Sequence, residues 1–149
     1  MSTYTNLIYH LVFSTKNRIP LIKSEIQGEL YAYIGGIVKS EGGNFLEIGG
    51  IADHVHILLR IKPIMALAQM LNRIKANSSR WLNEEKFKLR KFAWQEGYSA
   101  FTVSESQIPI IRNYIRKQAE HHRKKSFQEE LLALLVKNNI AYDERYLWK

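Results

Sequence analysis

Residues 51–61 read Ile-Ala-Asp-His-Val-His-Ile-Leu-Leu-Arg-Ile, and apolar side chains take alternate positions through most of this run. Alternate side chains of a β-strand point to the same face of the sheet. The run therefore predicts a strand with two unlike faces. One face is apolar and carries Val55, Ile57, Leu59 and Ile61, and the other carries Ala52, His54, His56, Leu58 and Arg60. The two imidazoles should stand side by side on the second face.

The elements on either side of this strand indicate the fold class. Alternation predicts a first strand over 5–13, helical spacing predicts a helix from Ser24 to the Gly42-Gly43 pair, and 44–48 predicts the next strand. A second helix is expected from Pro63 and a fourth strand over 98–103. The order strand, helix, strand, strand, helix, strand is that of the ferredoxin-like α+β fold, which RNA-recognition domains share. Its antiparallel sheet carries both helices on one face, so the histidines are expected on the open face.

Two further helices are predicted at the C-terminal end. Helical spacing predicts a helix over 107–122, and a capping-box pattern of Ser126 and Glu129 starts a helix over 126–138. With 46% hydrophobic residues among 149, the chain can bury a sizeable core. We therefore expect one domain over 1–149, with its core at 4–104 followed by these two helices.

The charge of the chain favours a polyanionic partner. Lysine and arginine number 22 against 14 aspartate and glutamate residues, a formal net charge of +8. The basic residues are concentrated in 72–91 and 107–125, which favours nucleic acid more strongly than a diffuse excess would. The absence of cysteine excludes disulfides, zinc-thiolate sites and cysteine nucleophiles. A metal ion would therefore need histidine, carboxylate or amide ligands.

The N-terminal residues and the hydropathy pattern favour a cytoplasmic protein. Residues 1–16 lack the pattern of a secretory signal peptide, and no apolar run approaches membrane-spanning length. We therefore expect a cytoplasmic location and no membrane partner.

His54 and His56 are candidate metal ligands. Two residues apart along a strand, their rings are expected about 7 Å apart and can share one divalent ion. Asp53 adds a possible carboxylate beside them. The alternative is that both are polar residues of a half-buried strand, since a His-x-His triplet is short enough to arise by chance.

Tyr114 and Gln118 are candidates for the second half of such a site. They are one helical turn apart, so a helix would project them together. A tyrosine hydroxyl is a nucleophile when it can lose its proton, and a metal ion held by two histidines would polarise a scissile phosphate. Gln118 could then supply its carbonyl oxygen as a third ligand. In the alternative interpretation Tyr114 is a surface aromatic and Gln118 is a solvated helix residue.

Four segments taken together resemble one known family. They are His54-Val55-His56, Tyr114-Ile115-Arg116-Lys117-Gln118, Trp94-Gln95-Glu96-Gly97-Tyr98 and Tyr9-His10-Leu11-Val12-Phe13. In their order and spacing along the chain they are similar to the single-tyrosine HUH transposases of bacterial insertion sequences, the insertion sequence 200-like family that includes repeat-associated tyrosine transposases. HUH denotes histidine, hydrophobic residue, histidine. The resemblance runs from about Tyr4 to His122, and Lys117 stands where asparagine is common.

The resemblance implies a small dimeric enzyme that cuts and rejoins single-stranded DNA at hairpin-bearing element ends. By this likeness His54, His56 and Gln118 would bind a divalent metal, Mg²⁺ or Mn²⁺, and Tyr114 would attack the phosphate to give a 5′-phosphotyrosine and a free 3′-hydroxyl. The covalent bond would keep the energy for rejoining without ATP. We also expect a homodimer in which the tyrosine helix acts in trans, completing the partner's site.

Candidate DNA contacts follow from the basic segments. The charged residues that could contact phosphates are Arg73, Lys75, Arg80, Lys88, Arg90, Lys91, Arg112, Arg116 and Arg123. The aromatic residues that could stack on unpaired bases are Phe87, Phe92 and Trp94. The alternative for each is a solvated charge or a core aromatic. We expect His121 and His122 to bind DNA or to lie at the helix end, and not to ligate metal.

Two other classes of function remain open from the sequence. A ferredoxin-like sheet with aromatic residues is also the architecture of non-catalytic nucleic-acid-binding modules, although here the open face would carry paired histidines. A metal-dependent hydrolase without a covalent step would need His54 and His56 but not Tyr114. Within the family, a domesticated relative that handles chromosomal repeats is a further alternative.

Overall fold

The computed structural model describes residues 2–89 and 91–149. Its four strands, β1 (Leu7–Ser14), β2 (Asn44–Ile51), β3 (His54–Ile61) and β4 (Ser99–Val103), form one antiparallel sheet in the order β2-β3-β1-β4. In chain order, α1 (Ser24–Ser40) follows β1 and α2 (Leu67–Glu85) follows β3. The C-terminal part contains α3 (Ile108–Arg116), α4 (Gln118–His121), α5 (Phe127–Lys137) and α6 (Glu144–Leu147), and Lys16–Arg18 and Glu105–Gln107 are 3₁₀ turns. The predicted ferredoxin-like α+β fold is confirmed.

Helices α1 and α2 pack on the first face of the sheet. The core between them contains Leu30 and Ile34 of α1, Leu71 and Ile74 of α2, and Val55, Ile57 and Leu59 of β3. Burying one such aliphatic side chain stabilises the fold by about 1.5–3 kcal/mol. A one-residue slip of β3 would exchange these residues for His54 and His56, so the core determines which face receives the histidines.

The second face, predicted to be open, is covered by C-terminal helices, so that prediction was wrong. Apolar side chains of α3 and α5 cover it. Ile108 and Ile115 of α3 pack against Ile8 and Leu58. Phe127 and Leu131 of α5 pack against Val12 and Phe101. The reason is that this face carries apolar residues beside its histidines, and amphipathic helices bury them. The side chains of His54 and His56 are consequently 0% exposed.

The helix predicted over 107–122 is divided in two. Helix α3 ends at Arg116, Lys117 has φ −97° and ψ 20°, and α4 begins at Gln118. The capping box of Ser126 and Glu129 is present, and α5 spans Phe127–Lys137 where 126–138 was predicted. Of the helices in the described residues, none is long and apolar enough to cross a lipid bilayer. The assignment of 1–149 to one domain stays a prediction.

Gly49 of β2 allows α3 to approach the sheet closely. A Cβ atom at this position would lie 2.5 Å from the carbonyl oxygen of Ile115 and 2.9 Å from its Cγ2 atom. The first of these neighbours is backbone, so it cannot move aside as a flexible side chain could. Because Ile115 directly follows Tyr114, this contact helps to set the position of Tyr114 above the sheet.

Candidate active site

His54 and His56 lie side by side on the second face of the sheet, as the alternation of β3 predicts. Their ring centroids are 5.1 Å apart. His54 Nδ1 lies 2.7 Å from Asp53 Oδ1, and His56 Nδ1 lies 2.8 Å from Nε2 of the buried His10. Metal-binding histidines are typically anchored in this way at the nitrogen that does not face the metal. Asp53 therefore orients His54 from behind and is not placed among the Nε2 atoms.

Gln118 faces His54 across the site. Its Oε1 atom lies 3.1 Å from His54 Nε2, and its side chain is 1% exposed. Since a carboxylate only accepts hydrogen bonds, His54 donates through Nδ1 to Asp53, and its Nε2 carries either a second proton or a lone pair. That lone pair repels the Gln118 oxygen unless a proton or a cation lies between them. Adjacent ligands of an octahedral ion with bonds of about 2.1 Å are about 3.0 Å apart, so the residues present fit a divalent metal ion.

Tyr114 is partly buried beside the histidine pair. Its ring centroid lies 5.7 Å from that of His56, and its hydroxyl donates a hydrogen bond to Glu130 Oε2. Burial and the neighbouring Glu130 carboxylate raise the pKa of Tyr114 above its usual range. The hydroxyl is therefore protonated at neutral pH, and it must release a proton in order to act as a nucleophile.

Glu130 of α5 is a central residue of the site that the sequence analysis missed. Its side chain is 1% exposed, its Oε1 lies 3.0 Å from His56 Nε2, and its Oε2 accepts a hydrogen bond from Gln118 Nε2 at 3.0 Å. Burial raises the pKa of Glu130, but hydrogen bonds from His122, His54 and His56 outweigh burial and hold the pKa far below its usual range. The carboxyl group is therefore ionised although it is buried.

The protonation of the histidines follows from burial and from the two carboxylates. Burial lowers the pKa of His54, but hydrogen bonds to Asp53 and Glu130 outweigh it and raise this pKa to about 9. Burial lowers the pKa of His56 to about 4 against the opposing effect of Glu130. Burial together with the nearby His56 lowers the pKa of His10 to about 3. At neutral pH His56 and His10 are therefore neutral.

His122 lies at the C-terminal end of α4, one of the two places that the sequence predicts for it, and its ring points into the site. Its Nε2 lies 3.0 Å from Gln118 Oε1 and 3.1 Å from Glu130 Oε1. One potential ligand atom from each of four side chains lies within 4.8 Å of the other three, and this spacing could hold one metal ion. The four side chains are those of His54, His56, His122 and Glu130.

Two sequence signals could have identified these residues. His122 is four residues after Gln118, so both lie on the same side of a helical turn. Glu130 is three residues after Phe127 and four before Leu134, which places a carboxylate within the apolar stripe of α5. A charged residue in such a stripe is expected to be paired or to serve a site.

Part of the predicted DNA-binding set lies on the same side of the sheet as Tyr114. Arg116 Nε donates to Glu47 Oε2 at 2.7 Å, and Arg112 Nε lies 3.7 Å from the same oxygen. Arg123 is exposed just after α4. A groove of about 710 Å³ borders Tyr114, and its basic lining residues are Lys117, Lys124 and Lys125.

The remaining basic residues lie elsewhere. Helix α2 packs on the first face of the sheet, opposite Tyr114, and carries Arg73, Lys75 and Arg80. The Lys75 ammonium donates to the carbonyl oxygens of Glu96 at 3.0 Å and Gly97 at 2.8 Å, so it is engaged within the protein. The exposed residues of the segment after α2 include Lys88 and Lys91, and Arg90 lies outside the described residues.

Trp94 and Phe92, predicted to stack on bases, belong to the core. Trp94 is 7% exposed, and its Nε1 donates to Ser78 Oγ at 2.9 Å. Its ring packs edge-on against Phe13 and Phe92, with centroids 4.9 Å and 4.8 Å away. Phe87 packs partly buried against the same cluster. The structure corrects the stacking assignment of Trp94 and Phe92, because rings enclosed in this way have no free face for a base.

Comparison with known proteins places these motifs in a family. The family model described as "Transposase IS200 like" matches residues 3–118. The chain belongs to the IS200-like transposases. The transposase for insertion sequence element IS200 of Salmonella typhimurium (strain LT2) is 31% identical over 131 residues, which cover 81% of this chain and 82% of that protein. The ISDra2 transposase TnpA of Deinococcus radiodurans is 27% identical over 117 residues, which cover 75% of this chain and 84% of that protein.

Two solved structures share the fold of this IS200-like transposase. A Deinococcus radiodurans R1 structure described as a transposase matches with a TM-score of 0.66 at 25% identity, over 79% of this chain and 95% of that chain. A REP-associated tyrosine transposase bound to a REP hairpin matches with a TM-score of 0.62 at 13% identity, over 82% of this chain and 74% of that chain. At 13% identity the second match shows the fold alone.

Proposed function

We propose that this IS200-like transposase cleaves and rejoins single-stranded DNA through a covalent bond between Tyr114 and a 5′-phosphate. The observation that carries the proposal is the Glu130 carboxylate, whose Oε2 accepts the hydrogen bond of Tyr114 while its Oε1 faces His56. Nucleophile and candidate metal ligands thus meet at one buried point. A non-catalytic binding module requires neither a nucleophile nor metal ligands, and a metal-dependent hydrolase without a covalent step does not require the tyrosine.

In the proposed step the Tyr114 oxygen attacks the scissile phosphorus. The bond from the tyrosine oxygen to phosphorus forms, the bond from phosphorus to the 3′-oxygen breaks, and a solvent proton completes the free 3′-hydroxyl. The Tyr114 proton passes along the existing hydrogen bond to Glu130. Reverse attack by a new 3′-hydroxyl restores the phosphodiester without ATP, because the phosphotyrosine bond keeps the energy of the bond that was cut.

His54, His56 and Gln118 would hold the divalent ion, Mg²⁺ or Mn²⁺. Imidazole and oxygen ligands without thiolate suit both ions. A bound ion would polarise the scissile phosphate. The chain itself holds the ligands in place, since Asp53 fixes the His54 ring and Glu130 accepts the amide hydrogen bond of Gln118.

We propose single-stranded DNA with hairpin ends as the substrate. The net charge of +8 and the lysines of the groove beside Tyr114 support an anionic strand at the nucleophile. A fold shared with a transposase solved on a REP hairpin supports the hairpin. The cytoplasmic location stays a prediction. A domesticated relative that processes chromosomal repeats would use the same chemistry on different target DNA.

A covalent adduct tests the proposal. With a 3′-labelled single-stranded oligonucleotide and Mn²⁺, the wild type should give a denaturation-resistant adduct that carries the DNA 5′ end. Tyr114→Phe removes only the hydroxyl, so it should bind DNA and form no adduct. Tyr146→Phe is the matched control, because Tyr146 is 61% exposed on α6. An adduct that persists in Tyr114→Phe would overturn the assignment of the nucleophile.

The homodimer with a tyrosine helix acting in trans stays a prediction from the family resemblance. In this structure Tyr114 lies beside His56 of its own chain. Mixing a Tyr114→Phe chain with a His56→Ala chain should partly restore cleavage if protomers exchange this helix, since one site would receive both intact groups. Absence of restoration would assign each site to a single chain.

A further inference from the structure

We propose that His122 and Glu130 are two further ligands of the metal ion, so that the C-terminal segment completes the metal site. The inference rests on the proposed function, because it concerns the ion expected at His54, His56 and Gln118. The C-terminal segment is outside the part of the chain that the family model matches, which ends at residue 118. Contacts within this chain therefore support the assignment of these two ligands.

The hydrogen bonds of His122 repeat those of His54. His122 Nδ1 lies 2.7 Å from the backbone carbonyl oxygen of Lys125, which only accepts hydrogen bonds. The neutral ring therefore donates through Nδ1 and keeps a lone pair on Nε2. This lone pair faces Gln118 Oε1 at 3.0 Å and Glu130 Oε1 at 3.1 Å. Two anchored imidazoles thus direct their Nε2 atoms at the same two oxygens, and either a proton or a cation must lie between these atoms to prevent repulsion.

Glu130 supplies an anionic oxygen at the centre of this group. Its Oε1 lies 3.0 Å from His56 Nε2, 3.1 Å from His122 Nε2 and 3.4 Å from His54 Nε2. These separations are close to the roughly 3.0 Å between adjacent ligands of an ion with bonds of about 2.1 Å. The Glu130 side chain is 1% exposed, and a divalent ion bound to its Oε1 would offset the loss of its hydration.

The resulting set of ligands leaves one coordination position open. Its ligand atoms would be three imidazole nitrogens, one carboxylate oxygen and one amide oxygen, contributed by His54, His56, His122, Glu130 and Gln118. An octahedral ion then keeps one position for a phosphate oxygen. Glu130 Oε2 remains free of the ion and keeps its hydrogen bond from Tyr114.

Mn²⁺ affinity tests the two ligands separately from catalysis. The dissociation constant is measured by calorimetry on metal-free full-length protein, and loss of the free Mn²⁺ signal in electron paramagnetic resonance checks it. We expect His122→Ala and Glu130→Gln each to weaken Mn²⁺ binding by about tenfold or more. Glu120→Gln is the matched control, because it removes an exposed carboxylate from the same segment outside the ligand group. This control should bind Mn²⁺ within about threefold of wild type.

The outcomes separate this inference from the proposed function. Circular dichroism and thermal unfolding first establish that each variant is folded, and His122→Asn replaces His122→Ala if the alanine variant is not. Wild-type Mn²⁺ affinity in the His122 and Glu130 variants, with binding lost in His54→Ala/His56→Ala, would overturn the two additional ligands and leave the proposed site intact. Glu130→Gln with unchanged affinity and faster cleavage would show that the carboxylate obstructs DNA, which also overturns its role as a ligand. Retained binding in the His54 and His56 variant would instead overturn the metal site of the proposed function.

Discussion

Tyr114 donates its hydroxyl hydrogen bond to Glu130, which follows it by 16 residues and lies on another helix. The same carboxylate contacts His54 and His56 on β3. One side chain of α5 therefore joins the candidate nucleophile to the candidate metal ligands. Substitutions of these site residues in β3, α3 and α5 should consequently all affect the same activity, the proposed DNA cleavage.

Replacing His54 and His56 together by alanine should abolish divalent-dependent cleavage of single-stranded DNA. The change removes two of the proposed metal ligands and leaves in place the lysines that are proposed to contact phosphates. Cleavage is followed on a labelled hairpin substrate with flanking single strands, and DNA binding is measured in parallel. Binding should stay within about threefold of wild type, because phosphate contacts provide most of it. Unchanged cleavage in a folded double variant would contradict the metal role of the pair.

Gly49→Ala should lower both stability and the rate of adduct formation. The new Cβ would meet the Ile115 carbonyl oxygen at 2.5 Å, so α3 and Tyr114 must shift. Overpacking of this kind costs about 1–3 kcal/mol of unfolding free energy, which urea denaturation measures. Gly28→Ala is the control, since no atom lies within 4 Å of its Cβ position in α1. That variant should be more stable than wild type by about 0.5–1 kcal/mol. Equal losses at both positions would exclude the close approach as the cause.

DNA affinity should fall steeply with salt, and hairpin DNA with single-stranded flanks should bind better than a duplex of equal length. Each phosphate contact on a single strand contributes about 0.7 to the slope of log affinity against log salt. Lys117→Ala with Lys124→Ala should therefore lower the slope by about 1.4. Arg73→Ala with Arg80→Ala should lower it less, because α2 lies on the other face of the sheet from Tyr114. A larger loss in the arginine pair would move the DNA path to α2.

The contribution of Lys75 to stability should rise between pH 8 and 10.5, whereas the raised pKa of His54 lowers stability as pH rises toward 9. Burial lowers the pKa of Lys75 from 10.5 to about 8, although Glu96 opposes this shift. In that window the unfolded chain binds more protons than the folded one, so the free energy of unfolding increases with pH. The gain is complete above pH 10.5 and is lost as pH falls through 8. Lys75→Met should remove this rise in urea titrations at several pH values, while Lys88→Met, at an exposed position, should keep it. A rise that survives in Lys75→Met would assign it to another group.

Local patterns were sufficient for β3 and for the order of elements. The alternation of Val55 and Ile57 with His54 and His56 predicts which side chains face α1 and α2, because strand parity alone decides this. The capping box of Ser126 and Glu129 could also be predicted from the sequence, since both residues lie within one helical turn. The spacing of Tyr114 and Gln118 predicted that they lie together, and both side chains contact Glu130 although the helix is divided at Lys117.

Contacts between distant elements decided the rest of the site. His56 and Glu130 are 74 positions apart in sequence and 3.0 Å apart in the fold, and no local period relates them. Periodicity shows that a sheet face or a helix stripe is apolar, but it does not show which element covers it. Trp94 lies in a basic segment, and the sequence alone does not distinguish a tryptophan that packs in the core from one that stacks on a base. The burial of Leu58 and its neighbours under α3, and of Val12 and Phe101 under α5, closed the second face and brought His122 and Glu130 to the histidine pair.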